Sequence, residues 1–100
     1  MTIISKNPVF SSPVVSIITV VYNNVEYVER AIKSVLSQRY PLIEYIIIDG
    51  GSSDGSIDII NRYQDKLHFF LSEKDNGIYD ALNKGIKNST GSVIGILHSD

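Results

Sequence analysis

Three polar stretches in this chain could do chemistry: Tyr22-Asn23-Asn24, Asp49 to Asp54, and His98-Ser99-Asp100. Each follows a run of apolar, mostly β-branched residues. Carboxylates there (Asp49, Asp54, Asp100) can accept N–H or O–H groups of a polar ligand, or give hard oxygen ligands to a divalent cation. A fourth stretch, "DNGIYDALNKGI", begins a helix at Gly77, where free backbone N–H groups attract anions. Asp80 shares a face of that helix with Asn83 or Lys84. An ordinary amphipathic helix with a solvated polar face would show the same residues. His98 reads as a strand-end residue rather than a ligand.

Gly51-Ser52-Ser53-Asp54-Gly55 also matches the Gly-x-Ser-x-Gly nucleophile elbow, with Ser53 as the nucleophile of a serine hydrolase. The match follows the second strand, with no upstream oxyanion loop. His68 sits at the wrong edge, and no acid precedes His98 in the required order. A turn closed by a helix cap at Asp54 explains the same residues. A dinucleotide fold needs glycines in its first turn, but "YNNVEY" has none. No Gly-Lys-Ser/Thr phosphate loop is present. With no cysteine, disulfides, thiolate zinc sites and a cysteine nucleophile are excluded.

These residues need elements to position them. "VVSIITVVYN" (Val14 to Asn23) is too apolar to alternate, which predicts a strand buried on both faces. Val25, Val28, Ile32, Val35 and Leu36 fall at helical spacing, with Asn23 or Asn24 as cap and Pro41 barring continuation. "LIEYIIID" (Leu42 to Asp49) predicts a second strand, and a helix runs from Asp54 to Tyr63. "LHFFLS" (Leu67 to Ser72) predicts a short third strand. Ile78, Leu82 and Ile86 mark a third helix, and "SVIGIL" a fourth strand. Residues 1–13, with Pro8 and Pro13, read as a lead-in, and 14–100 as the folded unit. The alternation predicts an α/β fold: a mostly parallel, Rossmann-like sheet of about four strands with three helices. Ligands bind such sheets at the carboxyl ends of the strands, where all three polar stretches fall.

At 100 residues the chain is one small domain, 43% apolar and 20% charged, with net charge −2. That balance gives no electrostatic case for nucleic acid. No apolar run approaches the roughly 18 residues of a membrane span, and no signal peptide is visible.

In order, spacing and residue types, "VSIITVVYNNVEYVERAIKSVLSQRYPLIEYIIIDGGSSDGS", "SEKDNGIYDALNKGI" and "TGSVIGILHSD" together resemble the family 2 glycosyltransferases of the GT-A fold. The resemblance covers nearly all of Val14 to Asp100. It implies binding of a nucleotide-diphosphate sugar, with UDP favoured, and inverting transfer of the sugar to a glycan or lipid-linked acceptor in polysaccharide or cell-surface glycan synthesis. It also implies a divalent cation, Mn2+ or Mg2+, to offset charge on the leaving diphosphate. By resemblance Asp49 contacts the base, while Val21, Tyr22 and Asn23 line the base pocket. Asn83 or Lys84 touches phosphate or ribose. Asp100 belongs to an Asp-x-Asp-type motif as ribose contact or metal ligand. The structural alternative for Asp49 is that it only satisfies N–H groups of its own turn.

The family's domain is about twice this length, and its general base lies in the later part, so no residue here is expected to be catalytic. The chain is expected to be the nucleotide-binding half of a longer enzyme and inactive alone. The location implied is cytoplasmic, with peripheral attachment to the inner membrane face as an option. A non-catalytic nucleotide-sugar-binding module and a purely structural module stay open as alternatives.

Overall fold

A computed structural model describes residues 2–5 and 13–99 of the chain. The elements are β1 (Thr2–Ser5), β2 (Val15–Val21), α1 (Val28–Leu36), β3 (Ile43–Asp49), α2 (Ser56–Asn61), a 3₁₀ turn (Gln64–Lys66), β4 (Phe69–Ser72), α3 (Ile78–Lys87) and β5 (Val93–His98). They form one sheet in the order β1-β5-β2-β3-β4. The last four strands of that order are parallel, and β1 runs antiparallel on the edge of β5.

The expected four-strand parallel sheet with three helices is present. The structure adds β1, inside the segment read as lead-in. A short antiparallel edge strand depends on the open edge of β5 as much as on its own residues, so it leaves little pattern in sequence.

The chain steps outward from β2 to β3 to β4, then returns across the sheet to β5 on the far side of β2. If every crossover stays right-handed, that reversal sends the last helix to the opposite face. The two apolar layers follow this. On one face Ile17, Val21, Tyr45 and Ile47 pack under Val28, Ile32 and Val35 of α1 and Ile60 of α2. On the other, Ile18, Ile46, Ile48, Ile94 and Ile96 meet Ala81, Leu82 and Ile86 of α3. The central strands are buried on both sides, which is why they read as unbroken apolar runs. Helix α3 approaches β2 closely at Gly85, where a Cβ would stand 2.6 Å from Ile18 Cγ2.

Several caps differ from expectation. The N-cap of α1 is Tyr27, without a side-chain cap bond, because Asn24 O accepts the N–H groups of Tyr27 and Val28 in an intervening turn. Helix α2 begins at Ser56 after Gly55, whose φ of 100° suits glycine. Asp54 therefore lies one residue before the cap position, yet its Oδ1 still accepts the Ser56 N–H.

At the amino end of the sheet Glu44 is buried. Its carboxylate accepts from Ser16 Oγ at 2.8 Å, from the Thr90 N–H at 2.8 Å and from Thr90 Oγ1, and His68 Nε2 lies 3.2 Å away. Burial alone would raise its pKa. The Thr90 and Ser16 donors, with His68, outweigh that and hold it below the usual glutamate range. This network ties the segment after α3 to β2 and β3. His68 therefore stands at the end of the sheet opposite the polar strand ends.

Candidate functional site

The reversal of strand order falls between β2 and β5, and a cleft of about 400 Å3 opens there at their carboxyl ends. Val20, Tyr22 and Asn24 line it from the end of β2, and His98 and Ser99 from the end of β5. Gly50 contributes from the turn after β3, and Lys74, Asp75, Gly77 and Ile78 from the segment between β4 and α3. Tyr22 is 61% exposed, so its ring is open to a ligand.

The polar turns behind the cleft lock one another. Asn23 adopts φ 49°, a left-handed conformation that asparagine tolerates. Its N–H donates to Ser52 Oγ, and its Oδ1 accepts the Ser53 N–H, both at 2.8 Å. Asp54 Oδ2 accepts the Val25 N–H at 3.0 Å, and its Oδ1 accepts Ser56 Oγ at 2.6 Å. The Ser56 hydroxyl, followed by backbone donors including Val25, holds Asp54 below the usual aspartate range. The Asn24 amide lies 2.6 Å from Ser99 Oγ, and Ser99 Oγ donates to Val20 O at 3.0 Å. These bonds pin the ends of β2 and β5 across the switch point.

Asp49 has a different surrounding from the one its resemblance implies. It is 0% exposed and does not line the cleft. Its Oδ2 accepts the N–H groups of Gly51 and Ser52 at 3.0 and 2.8 Å and Ser72 Oγ at 2.9 Å, while Oδ1 accepts Ser52 Oγ at 2.5 Å. Four donors from its own turn and the neighbouring strand occupy the carboxylate, so its local role is to fold the turn.

The other candidates divide. Val21 is buried in the α1 face, and only its backbone serves the site, its carbonyl accepting the Gly50 N–H at 2.8 Å. Asn23 locks the turn, as above. Asn83 is exposed on α3 and Lys84 is turned to the flank, because Ala81, Leu82 and Ile86 hold the helix against the sheet. Lys84 Nζ lies 3.1 Å from Glu73 and 3.4 Å from Asp80. The Glu73 partner first, then Asp80, raises its pKa against the opposing effect of desolvation. Neither Asn83 nor Lys84 lines the cleft. Ser53 makes no side-chain hydrogen bond among the described residues, and His68 pairs with Glu44 at the far end of the sheet, so no hydrolytic triad forms. Asp100 lies outside the described residues.

Lys74 and Asp75 line the cleft without having been sequence candidates for ligand binding. Their position depends on how the segment after β4 folds over Gly50, which no local pattern reports. The available signal was their place directly after a strand end. Among the described residues no group of three or more His, Asp or Glu side chains could hold a metal ion. No helix among them is long and apolar enough to cross a membrane.

Comparison with known proteins places this architecture. A glycosyltransferase of Mycobacterium tuberculosis (strain ATCC 25618 / H37Rv) is 41% identical over 90 residues, covering 89% of this chain and 34% of the relative. A Bacillus subtilis (strain 168) glycosyltransferase named for teichuronic acid biosynthesis is 37% identical over 91 residues, covering 88% of this chain and 36% of its own. The chain thus spans about a third of the length of these curated relatives. Among solved structures, the Pyrobaculum calidifontis mannosyltransferase PcManGT, in complex with GDP-Man and Mn2+, superposes with TM-score 0.82 at 26% identity, over 90% of this chain and 28% of that one. Staphylococcus aureus TarS 1–349 in complex with UDP-GlcNAc superposes with TM-score 0.79 at 24% identity, over 86% of this chain and 26% of that one. The family model "Glycosyl transferase family 2" matches residues 16–100, and the chain belongs to that family.

Proposed function

We propose that the cleft binds the nucleoside diphosphate of a sugar donor, and that the full-length protein transfers the sugar to an acceptor hydroxyl with inversion. The observation that carries this reading is the position of the cleft, at the switch point of a family 2 sheet. Tyr22, Asn24 and Lys74 are the proposed ligand contacts, with Lys74 as the cation for phosphate. Asp100, together with diphosphate oxygens, would hold Mn2+ or Mg2+, since such ions commonly take one or two carboxylates plus substrate phosphates. The bound cation would supply charge neutralisation at the leaving diphosphate.

A UDP-sugar is the donor the resemblance favours. The GDP-Man and Mn2+ in the 26% identical PcManGT support a divalent cation and keep GDP donors open. The relative named for teichuronic acid biosynthesis supports polysaccharide synthesis, and a glycan or lipid-linked acceptor and a cytoplasmic location are what the family resemblance implies. Residues 14–100 form the proposed catalytic-domain portion, which binds donor without transferring sugar by itself. That fits a span of 34–36% of the relatives' length. Calorimetric titration of the chain with UDP and GDP, with and without Mn2+, tests the reading. Cation-dependent binding of either is expected, and silence in all four titrations would overturn it.

A further inference from the structure

A second cavity opens under helix α1, on the other side of the end of β5. Tyr27, Arg30, Ala31 and Ser34 follow one another at helical spacing, so they make one stripe along the helix. That stripe faces Leu97, His98 and Ser99 across a space of about 160 Å3. The helix packs over β2 and β3 through Val28, Ile32 and Val35, and the small side chain of Ala31 leaves the space beside β5 unfilled. His98 and Ser99 line both this cavity and the nucleotide cleft, so the end of β5 is the wall between the two.

The cavity's open polar groups are donors. Ser34 Oγ already donates to Ala31 O, and Ser99 Oγ to Val20 O. The Arg30 guanidinium carbon lies 5.3 Å from the centroid of the Tyr27 ring, and that cation–π contact steadies a long side chain at the cavity's edge. Among the described residues the guanidinium makes no ion pair. No Asp or Glu lines the cavity, and the neighbouring Glu29 carboxylate is taken up by the Tyr63 hydroxyl at 2.6 Å. A positioned arginine carries several donors and a permanent charge, in a fork that matches a carboxylate or a phosphate. Resting on the donor reading above, we propose that this cavity is an acceptor subsite in which Arg30 binds an acidic group, a carboxylate or a phosphate, of the sugar that receives the transfer. An acid held there lies directly across the wall from the donor, so the sugar that bears it reaches over the end of β5 toward the cleft. The acceptor class this selects is an acidic glycan.

The test is a two-dimensional 1H–15N NMR titration of the chain, held saturated with UDP or GDP and Mg2+, with glucuronate, glucose phosphate and glucose. The nucleotide fills the cleft, so the added sugar reports on the second cavity. Saturable shifts at Tyr27, Arg30, Ser34 and Leu97 are expected with glucuronate, with glucose phosphate or with both, and none with glucose. Which of the two acids moves them tells a carboxylate site from a phosphate site. Arg30→Gln is expected to weaken the acid about tenfold or more, and Arg30→Lys, which keeps the charge but loses the fork, to weaken it less. Arg30 is exposed and lies outside the cleft, so thermal melting and nucleotide affinity should hardly change in either variant. No shifts with either acid, equal shifts with glucose, or acid binding that survives Arg30→Gln would overturn the assignment while leaving nucleotide binding intact. A chain that takes up neither UDP nor GDP would overturn the donor reading, and this inference with it.

Discussion

Replacing Asp49 separates folding from ligand contact. The carboxylate accepts the Gly51 and Ser52 N–H groups and two serine hydroxyls, inside a fully buried position. Asp49→Ala strips both N–H groups of their acceptor. The hydroxyls of Ser52 and Ser72 can rotate to other partners, so they add little. A buried orphaned donor costs about 1–3 kcal/mol, but Gly51 is exposed and can turn its N–H to water, so the predicted loss is about 2–3 kcal/mol. Asp49→Asn retains an acceptor oxygen but loses the charge assistance and turns an NH2 group toward donors, a loss of about 1–2 kcal/mol. Against a typical domain stability of about 5–15 kcal/mol, both are measurable by urea denaturation followed by circular dichroism at pH 7. The midpoint should fall in the order wild type, Asn, Ala, with the slope unchanged. A midpoint unmoved in both variants, combined with lost nucleotide binding, would refute the structural role and restore Asp49 as a base contact.

Gly85→Ala would set a methyl 2.6 Å from Ile18 Cγ2 between α3 and β2, and overpacking there should cost about 1–3 kcal/mol in the same denaturation assay. The folded Glu44 carboxylate sits below its ordinary pKa, so its contribution is complete above the unfolded value of about 4.3 and is lost as pH falls through the folded value. Stability measured from pH 6 down to pH 3 should decline over that window, and Glu44→Gln should flatten the decline. Lys84 is engaged by Glu73 and Asp80 at the flank of α3, so Lys84→Ala should leave UDP or GDP affinity within about twofold and shift the urea midpoint only slightly, since exposed ion pairs add little to stability.

Much of the architecture was legible because its cause is local. Strands β2 and β3 are buried on both faces and therefore apolar throughout, and the helices carry their stripes at helical spacing. The polar strand ends fall at the edge of the sheet where the cleft opens. The structural alternative for Asp49 was also local, since the donors to its Oδ2 include residues 51 and 52. What stayed hidden depends on distant partners. Glu44 sits within an apolar strand with no local sign of a role, and its partner Thr90 lies 46 residues away. Asp75 reaches the cleft only because the segment after β4 folds over Gly50. Asn83 and Lys84 have suitable chemistry, yet the packing of Ala81 and Ile86 fixes α3 so that both miss the cleft.

We expect a nucleoside diphosphate to bind at the switch point between β2 and β5. A two-dimensional 1H–15N NMR titration with UDP and with GDP, in the presence of Mg2+, locates the ligand residue by residue. Shifts are expected only at Tyr22 to Asn24, Gly50, Lys74 to Ile78 and His98 to Ser99, with Thr90, Gly91 and the flank of α3 at Lys84 unmoved. Saturable shifts centred on Glu44 and Thr90 at the other end of the sheet, or no shifts with either nucleotide, would contradict it.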